Sequence, residues 1–150
     1  MILATFDSTP YRILLILHIL FVVVAFGGLF AAPMLARAQG ASTAVASGMV
    51  GYLQRIAVPA IILAGLMGFG LIGMSKVGDK AKFEFSQSWV GIAMLLWLLE
   101  IGLLLGLLIP TERKVAAGDA EAAKRLPMFT GLSHLILLVA VGLMVFKPGA

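Results

Sequence analysis

At 150 residues, with 61% apolar residues, 12% charged residues and a formal charge of +4, the chain is far too apolar for a water-soluble domain, which carries about 25% charged residues. Its mean hydropathy of +1.09 places it in a bilayer. With no cysteine, disulfides, thiolate metal sites, iron–sulfur clusters and thiolate catalysis are excluded. The positive charge belongs with anionic headgroups and topology, because no stretch combines basic density with exposed aromatics as a nucleic-acid site would.

Four apolar blocks follow in chain order, at about 13–32, 56–74, 89–109 and 128–146. Each has roughly the 20 residues that cross about 30 Å of hydrocarbon at 1.5 Å per residue. In lipid every backbone polar group needs an internal partner, so spans of this length are helices. The expectation is an all-α, four-helix transmembrane bundle forming one integral membrane domain.

The first block carries His18 and ends at Pro33 and Arg37. Ala36-Arg37-Ala38 resembles a signal cleavage site, but the preceding apolar run is too long for a usual signal peptide. An uncleaved first span is expected. Residues 33–55 are small and weakly polar, and their alanines permit helix, so they are expected to extend both flanking helices beyond the membrane. Residues 75–88 alternate lysine with phenylalanine, as an interfacial segment does. The third block holds Glu100 and ends at Pro110. Residues 110–127 read as a short surface helix, with Gly118 or Asp119 capping its second half. The fourth block holds His134 and ends at Lys147-Pro148.

Four spans put both termini on one face of the membrane, here side A, together with the 75–88 linker. Side A then has Arg12, Lys76, Lys80, Lys82 and Lys147, and side B has Arg37, Arg55, Arg113, Lys114, Lys124 and Arg125. The narrow excess on side B points to side B as cytoplasmic, with the termini outside, in a bacterial inner membrane.

Small residues recur at the spacing that lets membrane helices approach closely: Gly28 and Ala32, then Ala60, Ala64 and Gly68, then Gly102 and Gly106. They read as packing within the bundle or against a partner subunit.

Intramembrane ionisable groups are costly and mark a function or a specific polar pair. Counting along untilted helices puts His18 about 9 Å, Glu100 about 16 Å and His134 about 20 Å from side A. Glu100 and His134 lie at similar depth, so they form a candidate polar pair, either a tie between helices or a proton site. His18 and His134 differ by about 10 Å in depth, which disfavours one metal ion, or one haem iron, ligated by both. His18 alone is a candidate ligand to haem iron or copper, with Met74, Met94 and Met144 in the same leaflet, or a neutral imidazole bonded to a backbone carbonyl. No zinc-protease, phosphate-loop, dinucleotide or nucleophile-elbow motif is present.

The run Leu17-His18-Ile-Leu-Phe-Val-Val-Val-Ala-Phe-Gly27-Gly28-Leu29 and the ending Leu143-Met-Val-Phe-Lys147-Pro148 resemble a group of small bacterial membrane proteins. The group includes the CopD-type copper-resistance domain, the HemJ-type protoporphyrinogen oxidase and a four-span integral membrane family of unknown function. The resemblance implies a four-span architecture and, for His18, a role in binding haem b. The chain has Ala25-Phe26 where the enzyme-like pattern tends to have Trp-Phe, so the resemblance is closest to the family without an assigned activity.

Three functions accord with these features. The first is an accessory subunit of a larger membrane complex, respiratory or photosynthetic, held by lipids, other integral subunits or self-association. The second is a haem-b or copper-binding protein using His18. The third is a proton-coupled carrier using Glu100 and His134.

Overall fold

The computed structural model describes residues 8–39, 42–77 and 79–149, without the side chains of residues 33 and 36–39. Four long helices carry the fold: α1 (Thr9–Gln39), α2 (Thr43–Gly73), α3 (Ser88–Ala116) and α4 (Ala120–Phe146). All four are long and apolar enough to cross a membrane. Between α2 and α3 lies a two-stranded antiparallel hairpin, β1 (Lys76–Val77) and β2 (Lys80–Ala81), pairing Lys76 with Ala81 and Val77 with Lys80.

The first candidate span ends at Ala32, before Pro33, and its helix runs on as expected, whereas Pro110, expected to end the third span, does not end it. The helical backbone continues through Pro33 to Gln39 and through Pro110 to Ala116. In α3 the physical reason is visible. A π-helical turn at Leu104–Leu108 immediately precedes Pro110, and another at Leu53–Ala57 precedes Pro59 in α2. A proline removes one N–H and crowds the preceding turn, and a wider turn absorbs both without breaking the rod.

The side B turn between α3 and α4 is closed by local chemistry. Gly118 adopts φ +88°, a left-handed conformation that glycine takes without a Cβ penalty. Asp119 then caps α4, its carboxylate accepting from the N–H groups of Glu121 at 2.9 Å and Ala122 at 3.0 Å. The bond from Ala122 chiefly, with that from Glu121 and the nearby Lys114 and Arg125 charges, holds this carboxyl below its ordinary pKa against an opposing desolvation. A carboxyl depressed in the folded state stabilises fully above its unfolded pKa of about 3.9 and loses that contribution as pH falls through the folded value. Asp119→Ala is therefore expected to lower the melting temperature at about pH 7 and much less at about pH 3, read by circular dichroism in detergent.

Side A is closed by Ser75, which is fully buried. Its hydroxyl bonds Ile72 O at 2.7 Å and Phe83 O at 3.0 Å, and accepts from Phe83 N–H at 3.0 Å. This fixes Phe83 edge-on against Trp89, with centroids 5.5 Å apart. The Lys147 ammonium lies 4.9 Å from the Phe83 ring centroid, and Lys147 is the described non-glycine residue with positive φ (43°).

The principal apolar core gathers Phe26 and Leu29 of α1, Leu53 and Ala57 of α2, and Leu104 and Leu108 of α3. Long apolar side chains such as Ile16, Val23, Leu98 and Leu138 point outward and are more than half exposed, as lipid-facing positions are.

The small-residue stripes divide. At Gly28 an added Cβ would sit 2.4 Å from Tyr52 Cε1, so α1 and α2 approach as closely as glycine allows. The Tyr52 hydroxyl accepts from Gly28 N–H at 2.9 Å and donates to Val24 O at 2.5 Å, tying one turn of α1 to α2. Ala60 and Ala64 are buried. A Cβ at Gly68 would meet His18 Cε1 at an ordinary 3.5 Å. At Gly102 and Gly106 a Cβ would meet nothing within 4 Å, so no close approach within the bundle calls for glycine there. Tyr52→Phe removes the hydroxyl's bonds to Gly28, Val24 and Ala25 of α1 while keeping the ring, and is expected to cost about 1 kcal/mol in detergent-unfolding experiments.

Candidate functional site

A cavity of about 370 Å³ opens between the four helices in the side A half of the bundle. Tyr11 and Lys147 line its outer part, and His18, Gly68, Trp97 and Glu100 line it deeper. Most of its wall is hydrocarbon, with a few polar groups, which is the usual composition of a small-molecule site.

His18 comes from α1 and is 8% exposed. Its Nδ1–H donates to the Ala64 carbonyl of α2 at 2.7 Å. That bond sets the tautomer and leaves Nε2 as the lone-pair nitrogen. Gly68, one helical turn after Ala64, leaves room beside the ring. The indole of Trp97 is held by its own N–H bond to Ile61 O at 2.8 Å, and Phe69 packs edge-on against it at 5.5 Å.

Glu100 comes from α3 and is 1% exposed. Ser133 of α4 donates to its Oε1 at 2.5 Å. Its Oε2 is buried without a hydrogen-bond partner among the described residues. The expected Glu100–His134 pair is thus replaced by Glu100–Ser133. Successive residues on a helix point about 100° apart, so when Ser133 faces Glu100 the next residue faces away. His134 instead stacks on Phe30 of α1, with centroids 4.2 Å apart and planes 3° from parallel, and lines a second cavity.

The structure therefore brings His18 and Glu100 to one cavity and puts His134 in another. Met94 and Met144 line the first cavity with His18, whereas Met74 is not among its lining residues. No group of three or more potential metal-ligating His, Cys, Asp or Glu side chains occurs among the described residues. Sequence reasoning missed Glu112, which is 4% exposed on α3. It sits in the charged run Thr111-Glu-Arg-Lys114, which reads as a solvated helix end. The signal available was helical phase: Glu112 follows Leu108 by four residues and so shares its buried face.

The class these features define is a four-helix integral membrane protein with a largely apolar internal cavity addressed by one imidazole and one carboxyl group. Comparison with protein-family models, with curated proteins and with solved structures finds no match.

Proposed function

We propose that the protein binds a prenylated quinone, or a closely similar ring with two opposed oxygens, in the first cavity. The observation that carries this reading is that His18 and Glu100, whose Oε2 is buried without a hydrogen-bond partner among the described residues, line the same largely apolar cavity. They differ in depth by about 7 Å, an interval that a six-membered ring and two hydrogen bonds of about 2.8 Å can bridge. A ring oxygen at each end then meets a group able to give or take a proton. Converting quinone to quinol takes two electrons and two protons. His18 and Glu100 address the protons, and the electrons come from a redox partner. This makes the protein a quinone-binding subunit of a larger membrane assembly, which gives the accessory role a chemical content.

A second reading is favoured by one bond. The Nδ1–H of His18 donates to a backbone carbonyl, which orients the ring and would leave Nε2 to hold a haem iron. His18 would hold the iron, and Met94 and Met144 line the same cavity. Haem would supply one-electron chemistry when bound. This agrees with what the first-span resemblance implies, but it leaves the carboxyl group of Glu100 without a role.

The test is gentle purification, an absorption spectrum, and solvent extraction with mass analysis of what is released. Stoichiometric quinone, with binding weakened at least about tenfold in His18→Ala, equivalent to about 1.4 kcal/mol, is the expected result. A Soret band lost in His18→Ala gives the haem reading instead, and protein with neither ligand overturns both.

A further inference from the structure

Among the described residues that line the first cavity, two are exposed on the outside of the bundle: Leu15 of α1, 37% exposed, and Val141 of α4, 45% exposed. A residue that borders a cavity on one side and the surroundings on the other is a wall one side chain thick. The two sit on the first and last helices of the bundle. Counting from Arg12 and from Lys147 puts His18 and Val141 at one depth, about 9 Å from side A. The thin part of the wall therefore stands level with the imidazole.

The other seams around this cavity are tied. His18 Nδ1–H bonds α1 to Ala64 of α2. Trp97 N–H bonds α3 to Ile61 of α2, and Gly65 brings the two helices into contact there. Ser133 bonds α4 to Glu100 of α3, and nearer side A Leu143 packs on the buried cluster of Phe83, Trp89 and Val90. α1 and α4 meet through the stack of Phe30 on His134, toward side B. The buried residues of α4 are Ala122, Thr130 and Ser133, so none falls in its side A half. That half leans on α3 and leaves its seam with α1 to aliphatic side chains.

The two approaches to the cavity differ in chemistry. Its side A end is closed by Tyr11, Phe83 and Trp89, all buried, with Lys147 beside them. Along the α1–α4 seam the neighbouring Ile16 and Ile19 of α1 and Leu138 and Val145 of α4 are exposed, as residues facing acyl chains are. Hydrocarbon passing from lipid between Leu15 and Val141 exchanges one apolar surrounding for another, whereas entry through the aromatic end takes it through water. Size points the same way. A cavity of about 370 Å³ is at the small end of ligand sites, which run from about 300 to 1,000 Å³, so a long chain on a bound ring has to continue outside it.

We propose that the first cavity opens sideways into the lipid between α1 and α4, and that the hydrocarbon tail of its ligand lies in this seam, between Leu15 and Val141. The tail rests on the quinone reading, and the opening does not. The ligand then exchanges with the lipid phase and not with water.

Both tryptophans of the chain, Trp89 and Trp97, line this cavity, so intrinsic fluorescence reports on it. In lipid nanodiscs, bromodecane dissolved in the bilayer is expected to quench this fluorescence, with quenching at least about twofold weaker in Leu15→Phe/Val141→Phe, which thickens the wall. Leu138→Phe, on α4 but outside the cavity lining, should leave quenching unchanged. Equal quenching in the wild type and the double variant overturns the proposal. The tail is tested with two benzoquinones of the same ring, one carrying a decyl chain and one a methyl group. The double variant should weaken binding of the decyl compound at least about tenfold and of the methyl compound less than about twofold. Equal weakening of the two, or none, overturns the place given to the tail. If the wild type binds neither benzoquinone, the quinone reading fails, and the quenching comparison alone decides the opening. Either single substitution serves if the double variant does not fold.

Discussion

Gly65→Ala should destabilise the bundle by about 2–4 kcal/mol, whereas Gly102→Ala should leave it unchanged or up to about 1 kcal/mol more stable. A Cβ at Gly65 would lie 2.2 Å from Cε2 and 2.5 Å from Nε1 of Trp97, a separation real atoms do not adopt. The clash falls on a rigid indole whose N–H is committed to Ile61 O and whose face packs Phe69. Trp97 has to leave its place, so the cost joins overpacking of about 1–3 kcal/mol to a lost hydrogen bond of about 1 kcal/mol. At Gly102 nothing lies within 4 Å, and only the higher helix propensity of alanine remains. Denaturant unfolding in detergent, followed by tryptophan fluorescence, checks both. Equal effects at the two positions would mean that α2 and α3 do not meet at Trp97. Because Trp97 also lines the first cavity, ligand binding should fall in Gly65→Ala and persist in Gly102→Ala.

That pair shows where the sequence is legible and where it stops. Four spans follow from hydrophobic length alone, since a bilayer permits few other folds for such runs. Asp119 as the α4 cap was readable too, because a short acceptor side chain before an alanine-rich run satisfies free N–H groups locally. Tertiary contacts were less legible. The spacing of Gly102 and Gly106 matches a packing stripe, yet their Cβ positions face open space, while Gly65, outside the stripe that runs through Ala64, holds the tightest contact. Periodicity says which residues share a face and not which face meets a neighbour. Depth counting likewise brought Glu100 and His134 to one level but carried no azimuth, and one residue of rotation puts Ser133 against Glu100 instead. Pro110 misled for a related reason: a proline marks a missing N–H, and a π-helical turn just before it lets the helix continue.

Ser133→Ala should cost about 1–3 kcal/mol, and Glu100→Leu, although it removes the more unusual residue, should cost nearly nothing or stabilise the fold. The asymmetry comes from what each change leaves behind. Ser133→Ala takes the hydroxyl from Oε1, and with Oε2 already alone the carboxyl group is left buried with neither oxygen bonded. Glu100→Leu removes the costly group itself. The Ser133 hydroxyl can then turn to a carbonyl of the preceding turn of its own helix, as serines in helices do. Binding in the first cavity should sort the other way. Glu100→Leu should abolish the contact made by the carboxyl group, while Ser133→Ala leaves that group in the cavity wall. Stability in detergent and ligand occupancy, measured on the same preparations, separate a carboxyl group kept for its chemistry from one kept as a tie between α3 and α4. If Glu100→Leu unfolds the bundle as readily as Ser133→Ala, the acid is a structural tie and the cavity loses one of its two addressing groups. If it folds better and binds nothing, the chain carries Glu100 at a cost in stability, which is the mark of a group retained for function.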